Sequence, residues 1–303
     1  MTLIKDTLKQ NKRLYRISKI IRDLSEEMQV PAFLVGGCVR DLLLEPEKHS
    51  VDIDIMVEGD GIKFANQLGK KLKVSTVVPF PKFATARIPY NECEIEVASA
   101  RLESYDPKSR NPKDIVMTDI NEDLQRRDFT VNAMAISLQK DNMGMLIDPF
   151  DGLKDLSAKI LRTPMSDSDV TFADDPLRMM RAAYFSAKLE MEIDEKSLQS
   201  IKNNAERISI VSQERVTNEL LKILGTNKPS IGFIVLQETG LLEYVFPEIS
   251  VMYGLDQTSE YHHKDIFFHT LEVVDNAAKL SDKLDLRLAC LLYTSPSPRD
   301  FTE

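Results

Sequence analysis

The hydrophobic pattern at the start of the chain predicts a helix, a strand and a second helix. Apolar residues recur every three or four positions over Ile17–Leu24, as on one face of an amphipathic helix, and Pro31 follows as a stop. Four apolar residues, Ala32–Val35, then predict a short strand, and Val39–Leu44 predicts a second helix. Two glycines lie between this strand and this helix, so a tight turn is expected there.

Alternation of apolar and polar residues, with a period of two, predicts β-structure in the next part of the chain. The segment Val51–Val57 begins with strict alternation of apolar and acidic residues, as on a strand with one buried face. Two similar runs, Ala84–Ile88 and Glu94–Ala98, flank the turn residues Pro89–Asn91 and predict a hairpin. The other predictions here are a helix at Ile62–Leu72, a loop at Asp106–Asp119, a strand within Val131–Leu138 and a short strand before Asp148.

Helical periodicity replaces these strand signals from Asp151 onward. Asp175 and Pro176 predict the start of one helix, with an N-cap and a proline in the first turn. Ser212 and Gly225 predict the start and the end of another. The pattern therefore predicts an α+β fold, a head containing a sheet followed by helical domains.

Composition narrows the class of protein without identifying it. The 303 residues favour two or more domains, and no apolar run approaches the roughly 20 residues of a membrane span. The net charge of −9 argues against a general nucleic-acid coat, so any such contact must be a local basic patch. Three widely spaced cysteines and the lack of an apolar leader predict a cytoplasmic protein.

The first candidate for chemistry is the pair of aspartates in the alternating strand. Asp52 and Asp54 point to the same side, with Cα atoms about 6–7 Å apart. A divalent cation would relieve their repulsion, and hard oxygen ligands favour Mg²⁺, with two ions as in two-metal catalysts. Taken alone, the pair is more typical of a solvent-exposed edge strand.

Two neighbouring features strengthen the metal interpretation. Gly36 and Gly37 would let backbone N–H groups approach a triphosphate at a helix N-terminus, although a plain tight turn explains them equally well. Glu96 would complete a catalytic carboxylate triad if its strand lay beside that of the aspartates. An outward, solvated face is the alternative for Glu96.

A third feature is a pair of adjacent arginines. Arg126 and Arg127 precede Asp128 and an apolar run that contains Asn132. Arginine pairs suit phosphate or ribose contacts, although most on a protein surface are only solvated.

In their order along the chain, these segments resemble a known family. The segments LVGGCVRDLLL, DIDIMV, RRDFTVNAMA, DPFDGLKDLSAKILRT and DDPLRMMRAAYF are similar to those of the bacterial, class II CCA-adding enzymes, or tRNA nucleotidyltransferases, which share them with bacterial poly(A) polymerases. The resemblance covers about residues 15–292. It implies a nucleotidyltransferase head like that of DNA polymerase beta, with a mixed sheet, followed by an all-helical neck and body.

The resemblance also implies roles for individual residues. Asp52 and Asp54 correspond to the metal-binding carboxylates of the family, and the segment Asp148–Leu156 to the hinge after the head. The residues implied to bind the incoming nucleotide are Gly36, Gly37, Arg40, Arg127, Asp128, Asn132, Asp175, Arg178 and Arg181. Asp174, where the family commonly has glutamate, and Glu214 and Arg215 of the neck are implied to support them.

Asp175 and Arg178 correspond to the pair that reads the base of CTP or ATP. Three residues apart at a helix start, both can face one side. Arginine offers only donors and an ionised aspartate only acceptors, which matches the amino group and ring nitrogen of cytosine and adenine. Without the resemblance, helix capping by Asp175 and a surface position for Arg178 would be the simpler interpretation.

The C-terminal part resembles the opening of an HD metal-phosphohydrolase domain. His262, His263 and His269 precede a helical run, but Tyr293 and Thr294 stand where the His-Asp doublet would fall. No HD hydrolase activity is therefore expected, and His269 is expected to pack or face solvent. The predicted division is a catalytic head at 1–150, a neck at 151–225, an RNA-binding body at 226–257, an incomplete HD segment at 258–292 and an unstructured tail at 293–303, where the chain looks cut off.

The expected function is template-independent addition of CMP and AMP to the 3′ end of tRNA, with CTP, ATP and two Mg²⁺ ions. Poly(A) polymerase, A-adding or CC-adding activity remains open, and so does an RNA-binding protein without catalysis. The oligomeric state is left open.

Overall fold

The structure, a computed structural model, describes residues 3–47, 52–106, 109–255 and 265–293, without the side chains of 102–106 and 109–115. His262, His263 and the predicted tail beyond Tyr293 lie outside the described residues. The chain divides into two compact units. The first comprises Met1–Asp106, Asn111–Ala158 and Arg162–Ser166, and the second Pro107–Arg110, Lys159–Leu161 and Asp167–Glu303.

The first unit is built on a seven-stranded mixed sheet. Its strands are β1 (Ala32–Val35), β2 (Asp52–Val57), β3 (Val78–Phe80), β4 (Thr85–Tyr90), β5 (Cys93–Ser99), β8 (Ala135–Ser137) and β9 (Leu146–Ile147), and two further strands, β6 (Arg101–Asp106) and β7 (Ser109–Met117), lie outside this sheet. The strand order is β3-β4-β5-β2-β1-β8-β9, in which β2 and β5 are parallel and all other neighbours antiparallel. The predicted mixed sheet is confirmed.

Short helices cover this sheet. They are α1 (Lys5–Gln10), α2 (Lys12–Met28), α3 (Gly37–Leu44), α4 (Gly61–Lys71), α5 (Ile120–Gln125) and α6 (Gly152–Ala158), with 3-10 turns at Pro81–Phe83, Thr130–Asn132 and Lys140–Asn142. The face of α2 predicted from its spacing is buried at Ile17, Ile21 and Leu24. The predicted strand at Ala32–Val35 is fully buried.

One face of the central strands changes from apolar to acidic along its length. Met56 packs with Phe33, Val35 and α5 in a buried cluster. Asp54 lies two residues earlier on β2 and therefore on the same face. The acidic end of the sheet face thus directly adjoins a packed core.

The second unit is almost entirely helical, as predicted. It contains α7 (Ser168–Asp174), α8 (Leu177–Leu189), α9 (Glu195–Asn204), a 3-10 segment at Ala205–Ile210, α10 (Gln213–Leu224), α11 (Pro229–Glu238), α12 (Leu241–Val245), α13 (Pro247–Ser250), α14 (Ile266–Leu280), α15 (Leu284–Tyr293) and the paired short strands β10 (Ile160–Leu161) and β11 (Glu192–Ile193). Helix α8 packs against α10 and α11, and α14 against α11 and α15. No helix in the described ranges is long and apolar enough to cross a membrane.

The loop predicted for Asp106–Asp119 is wrong over most of its length. Strands β6 and β7 pair there as a separate two-stranded sheet. Mixed charge and two prolines favoured a loop in the sequence, because strand formation depends on a partner strand that a local pattern does not show.

The predicted hairpin is confirmed, but its turn is shorter than Pro89–Asn91. Pro89 and Tyr90 belong to β4, opposite Glu94 and Cys93 of β5. The outer neighbour β3 pairs only with Thr85–Arg87, so the missing N–H of Pro89 breaks no hydrogen bond to it. The turn is made by Asn91, with φ +54°, and Glu92.

Helix α10 begins and ends where the sequence predicts, but neither end has the predicted capping interaction. Ser212 precedes α10 without a capping side-chain hydrogen bond. Gly225 follows it with φ −76°, a right-handed conformation that does not require glycine.

Candidate active site

The acidic end of the sheet brings four carboxylates together. In the parallel register of β2 and β5, Asp52 lies opposite Glu94 and Asp54 opposite Glu96. Side chains opposite each other on one face are close neighbours, so like charges repel. The strand that carries Glu96 therefore lies beside the strand that carries Asp52 and Asp54, as a carboxylate triad requires.

Glu96 has a cationic partner on its other side. The Arg87 Nε lies 3.0 Å from Glu96 Oε2 and 3.4 Å from Glu94 Oε1, and the guanidinium stands over the Phe80 ring at 5.3 Å. These groups are substantially exposed, so the pairs add little stability. Glu96 is thus held by Arg87, and its place in a catalytic triad stays a prediction.

Asp54 is the electrostatically unusual member of the group. Burial raises the pKa of Asp54 to about 6, Arg127 opposes the shift, and Glu96 and Asp52 add to it. An ionised Asp54 is therefore costly unless a cation lies close by.

Gly36 forms the turn between β1 and α3, directly beside this carboxylate. Its φ is +71°, a region that residues with a Cβ rarely adopt. A Cβ placed there would lie 2.9 Å from Arg127 Nη1 and 3.4 Å from Asp54 Oδ2. The glycine thus allows the backbone, Arg127 and Asp54 to meet at one point, whereas a Cβ on Gly37 would make only an ordinary contact with Arg40.

A buried carboxylate that the sequence analysis missed holds Arg127. Asp123 of α5 is fully buried and binds both members of the arginine pair, Arg126 at 2.8 Å and Arg127 at 3.2 Å. Its spacing of three and four residues before the arginines is the helical contact spacing and was a usable signal. Arg87 was also missed, and only the register of β4 with β5 reveals it.

Three predicted nucleotide-binding residues form a buried hydrogen-bond network, which includes Arg40 of α3, the helix after the glycine turn. Arg40 Nη1 donates to Asn132 Oδ1 at 2.5 Å, and Asn132 Nδ2 donates to Asp128 Oδ1 at 3.1 Å. Arg40 also pairs with Asp41 at 2.6 Å. The structure brings these residues together, while their direct contact with a nucleotide stays a prediction.

The two aspartates fit a divalent cation. Carboxylate oxygens are the ligands that Mg²⁺ prefers, and Mg²⁺ commonly takes one or two of them together with waters and substrate phosphates. Among the described side chains, no group of three or more His, Cys, Asp or Glu could hold a metal ion. The role of Asp52 and Asp54 as the metal ligands therefore stays a prediction.

The remaining predicted residues belong to the second unit. Asp175 Oδ1 accepts the N–H of Leu177, the first residue of α8, at 3.2 Å, but the N-cap position of this helix is Pro176, one residue later than predicted. Arg178 is buried and donates through Nη1 to Thr171 O at 3.3 Å. Both residues therefore have a structural contact at the junction of α7 and α8, and reading of a base by this pair stays a prediction.

The flanking residues differ in environment. Arg181 lies over the Phe185 ring at 5.1 Å. Asp174 and Arg215 are half-buried, and Glu214 is exposed. Their supporting roles stay predictions.

Fold and site together define a nucleotidyltransferase-type head followed by a helical unit. Residues 32–162 match the family model described as the poly A polymerase head domain. Residues 190–252 match the model described as the probable RNA and SrmB-binding site of polymerase A.

Individual relatives agree with these matches. The chain is 35% identical to an A-adding tRNA nucleotidyltransferase of Geobacter sulfurreducens, over 76% of this chain and 26% of the relative. It is 35% identical to a multifunctional CCA protein of Psychromonas ingrahamii, over 86% of this chain and 62% of the relative. The crystal structure of a tRNA nucleotidyltransferase complexed with a primer tRNA and an incoming ATP analog matches with a TM-score of 0.72 and 30% identity, over 92% of this chain and 77% of that one.

The chain belongs to the tRNA nucleotidyltransferase and poly(A) polymerase family. It spans between 26% and 62% of the length of the two curated relatives described above.

Proposed function

We propose that the protein adds CMP and AMP from CTP and ATP to the 3′ end of tRNA and releases pyrophosphate. The observation that carries the proposal is the convergence of Asp54, Arg127 and the Gly36 turn at the acidic end of the sheet. The names of the relatives, CCA protein and tRNA nucleotidyltransferase, support this reaction and this substrate.

Asp52 and Asp54 would hold the divalent cations. When bound, the cations lower the pKa of the attacking 3′-hydroxyl and neutralise the charge of the triphosphate. The lack of a Cβ on Gly36 leaves room for Arg127 Nη1 beside the turn, where it would serve as a donor to a phosphate. Asp175 and Arg178 would supply the acceptor and the donors that select cytosine or adenine over guanine or uracil.

The test is a sizing assay with Mg²⁺ and three tRNAs that end before CCA, after its first C, or after both C residues. CTP, ATP or both are supplied. Extension of all three tRNAs to the same CCA end is the expected result. Product from ATP on the last tRNA alone would instead identify an A-adding enzyme, the second candidate, which the Geobacter relative favours by name.

Asp52→Asn separates catalysis from binding in the same assay. It should abolish extension, whereas Asp141→Asn, at an exposed carboxylate of the same unit, should leave extension intact. Wild-type protein that binds tRNA but extends none of the substrates would contradict the proposal and favour an RNA-binding protein. Full extension by Asp52→Asn would contradict the metal assignment.

A further inference from the structure

The carboxylate of Asp123, on α5, binds two arginines of the first unit. It is fully buried, where an ionised carboxylate is unfavourable unless cations and hydrogen bonds compensate it. Arg126 and Arg127 both bind it, and the backbone N–H of Arg101 donates to it at 3.3 Å. One carboxylate therefore organises two arginines.

Each carboxylate oxygen of Asp123 binds one of the two arginines. Oδ1 accepts from Arg126 Nε at 3.0 Å and Nη2 at 2.8 Å. Oδ2 accepts from Arg127 Nε at 3.3 Å and Nη2 at 3.2 Å. Each arginine is thus held along its Nε–Nη2 edge.

This mode of binding fixes where the rest of the Arg127 guanidinium points. Because the group is planar, holding Nε and Nη2 determines the position of Nη1. Nη1 lies 2.9 Å from where a Cβ of Gly36 would be, next to Asp54 Oδ2. The free end of Arg127 is therefore presented to the point where the glycine turn and the metal-binding carboxylate meet.

We propose that Asp123 is a positioning residue that orients Arg127 toward the triphosphate of the incoming nucleotide. The inference rests on the proposed function, since it places the triphosphate at the Gly36 turn. A long side chain that is already fixed loses less conformational freedom when it binds a phosphate. Asp123 itself does not touch the substrate.

The test is a double-mutant cycle of Asp123→Asn and Arg127→Ala. Asparagine keeps the size of Asp123 but places an amide against two arginines. We expect Asp123→Asn alone to lower kcat/KM for ATP by about ten- to hundredfold, as small misplacements of binding groups do. In the Arg127→Ala background the same change should cost almost nothing further, because the residue through which it acts is gone.

A purely structural role would give a different result. General loss of the fold would lower kcat/KM by the same factor in both backgrounds, and that additivity would overturn the proposal. The matched control is Asp119→Asn, which removes the N-cap carboxylate of the same helix, where Asp119 Oδ1 accepts from Asn121 and Glu122 N–H. This control should lower Tm without changing the KM for ATP.

Equilibrium binding of ATP to the same variants gives a readout independent of transfer. Wild-type protein that binds ATP but extends no tRNA would contradict the proposed function but not the positioning role of Asp123. The double-mutant cycle would then be evaluated from the dissociation constants for ATP. Wild-type protein that binds no ATP would overturn both proposals. If Asp123→Asn does not fold, the cycle is run with Asp123→Glu, which keeps the charge facing both arginines, and additivity again overturns the proposal.

Discussion

Two separate constraints act on a single residue at Gly36. Its φ of +71° costs a residue with a Cβ about 1–2 kcal/mol, and the Cβ would also displace Arg127. We expect Gly36→Ala to lose at least about tenfold in nucleotide transfer as well as about 1–2 kcal/mol of unfolding free energy. Transfer assays and urea unfolding measure the two effects.

Gly240→Ala is the control for that variant. Gly240 has φ +75° but no atom within 4 Å of its Cβ position. It should lose a similar amount of stability and no activity. Equal activity of Gly36→Ala and the wild type would contradict the role assigned to the glycine turn.

Asp54 gives the protein a pH dependence with a definite sign. Its folded-state pKa of about 6 is above the ordinary value of 3.8, so the folded state holds this proton more tightly than the unfolded chain. The contribution to stability is complete below about pH 4 and is lost as the pH rises through about 6. Above that pH, the ionised carboxylate is free to bind a cation.

We therefore expect Mg²⁺ to raise Tm more at about pH 7.5 than at about pH 5, because protons compete with the cation for Asp54. Thermal unfolding with and without MgCl₂ at both pH values measures this difference. Asp54→Asn should abolish it and should raise the metal-free Tm at the higher pH. An equal Mg²⁺ effect at both pH values would contradict the assignment.

At the level of elements, α6 is fixed against the 3-10 turn that carries Asn132. A Cβ at Gly152 would lie 2.3 Å from Thr130 O, and Thr130 Oγ1 donates to Asp155 Oδ2 at 2.7 Å. Gly152→Ala should therefore push helix and turn apart, lowering the unfolding free energy by more than about 2 kcal/mol and reducing transfer. Ser157→Ala, at an exposed position of the same helix, should change neither.

Local sequence patterns predicted some of these elements correctly and missed others. Periodicity located β2, α2 and the hairpin of β4 and β5, because each buries one face that the spacing reveals, whereas a short apolar run located the fully buried β1. The pair of β6 and β7 was missed, since each strand forms by pairing with the other and the local sequence predicts a loop. The turn of the hairpin was misplaced for a similar reason, because the effect of Pro89 depends on which strand lies beside it.

On the scale of the whole molecule, the two units have separate stabilising centres. In the second unit Arg287 is buried and donates to Leu224 O at 2.9 Å, at the last residue of α10, to Thr226 O at 2.8 Å, and to Ser281 O at 2.9 Å, directly after α14. Arg287→Met would leave these carbonyls without a donor and should lower the unfolding free energy of this unit by about 2–4 kcal/mol.

The increase of Tm that we expect from Mg²⁺ depends on Asp54 of the first unit and should therefore survive in Arg287→Met. Urea unfolding in the presence and absence of MgCl₂ measures both effects, and Lys279→Met, at an exposed position of α14, is the control. Loss of the Mg²⁺ effect in Arg287→Met would contradict this assignment of the two effects to different units.

The sequence by itself determined the α+β order of elements, the aspartates as metal ligands to be tested and the resemblance to the family, because these depend on short-range spacing and on motif order. Only the tertiary structure decided that Arg87 pairs with Glu96 and that a Cβ on Gly36 would meet both Arg127 and Asp54. These facts depend on strand register and on contacts between distant segments. The energy of such a contact depends on the positions of both partners in the folded chain, which a local sequence pattern does not specify.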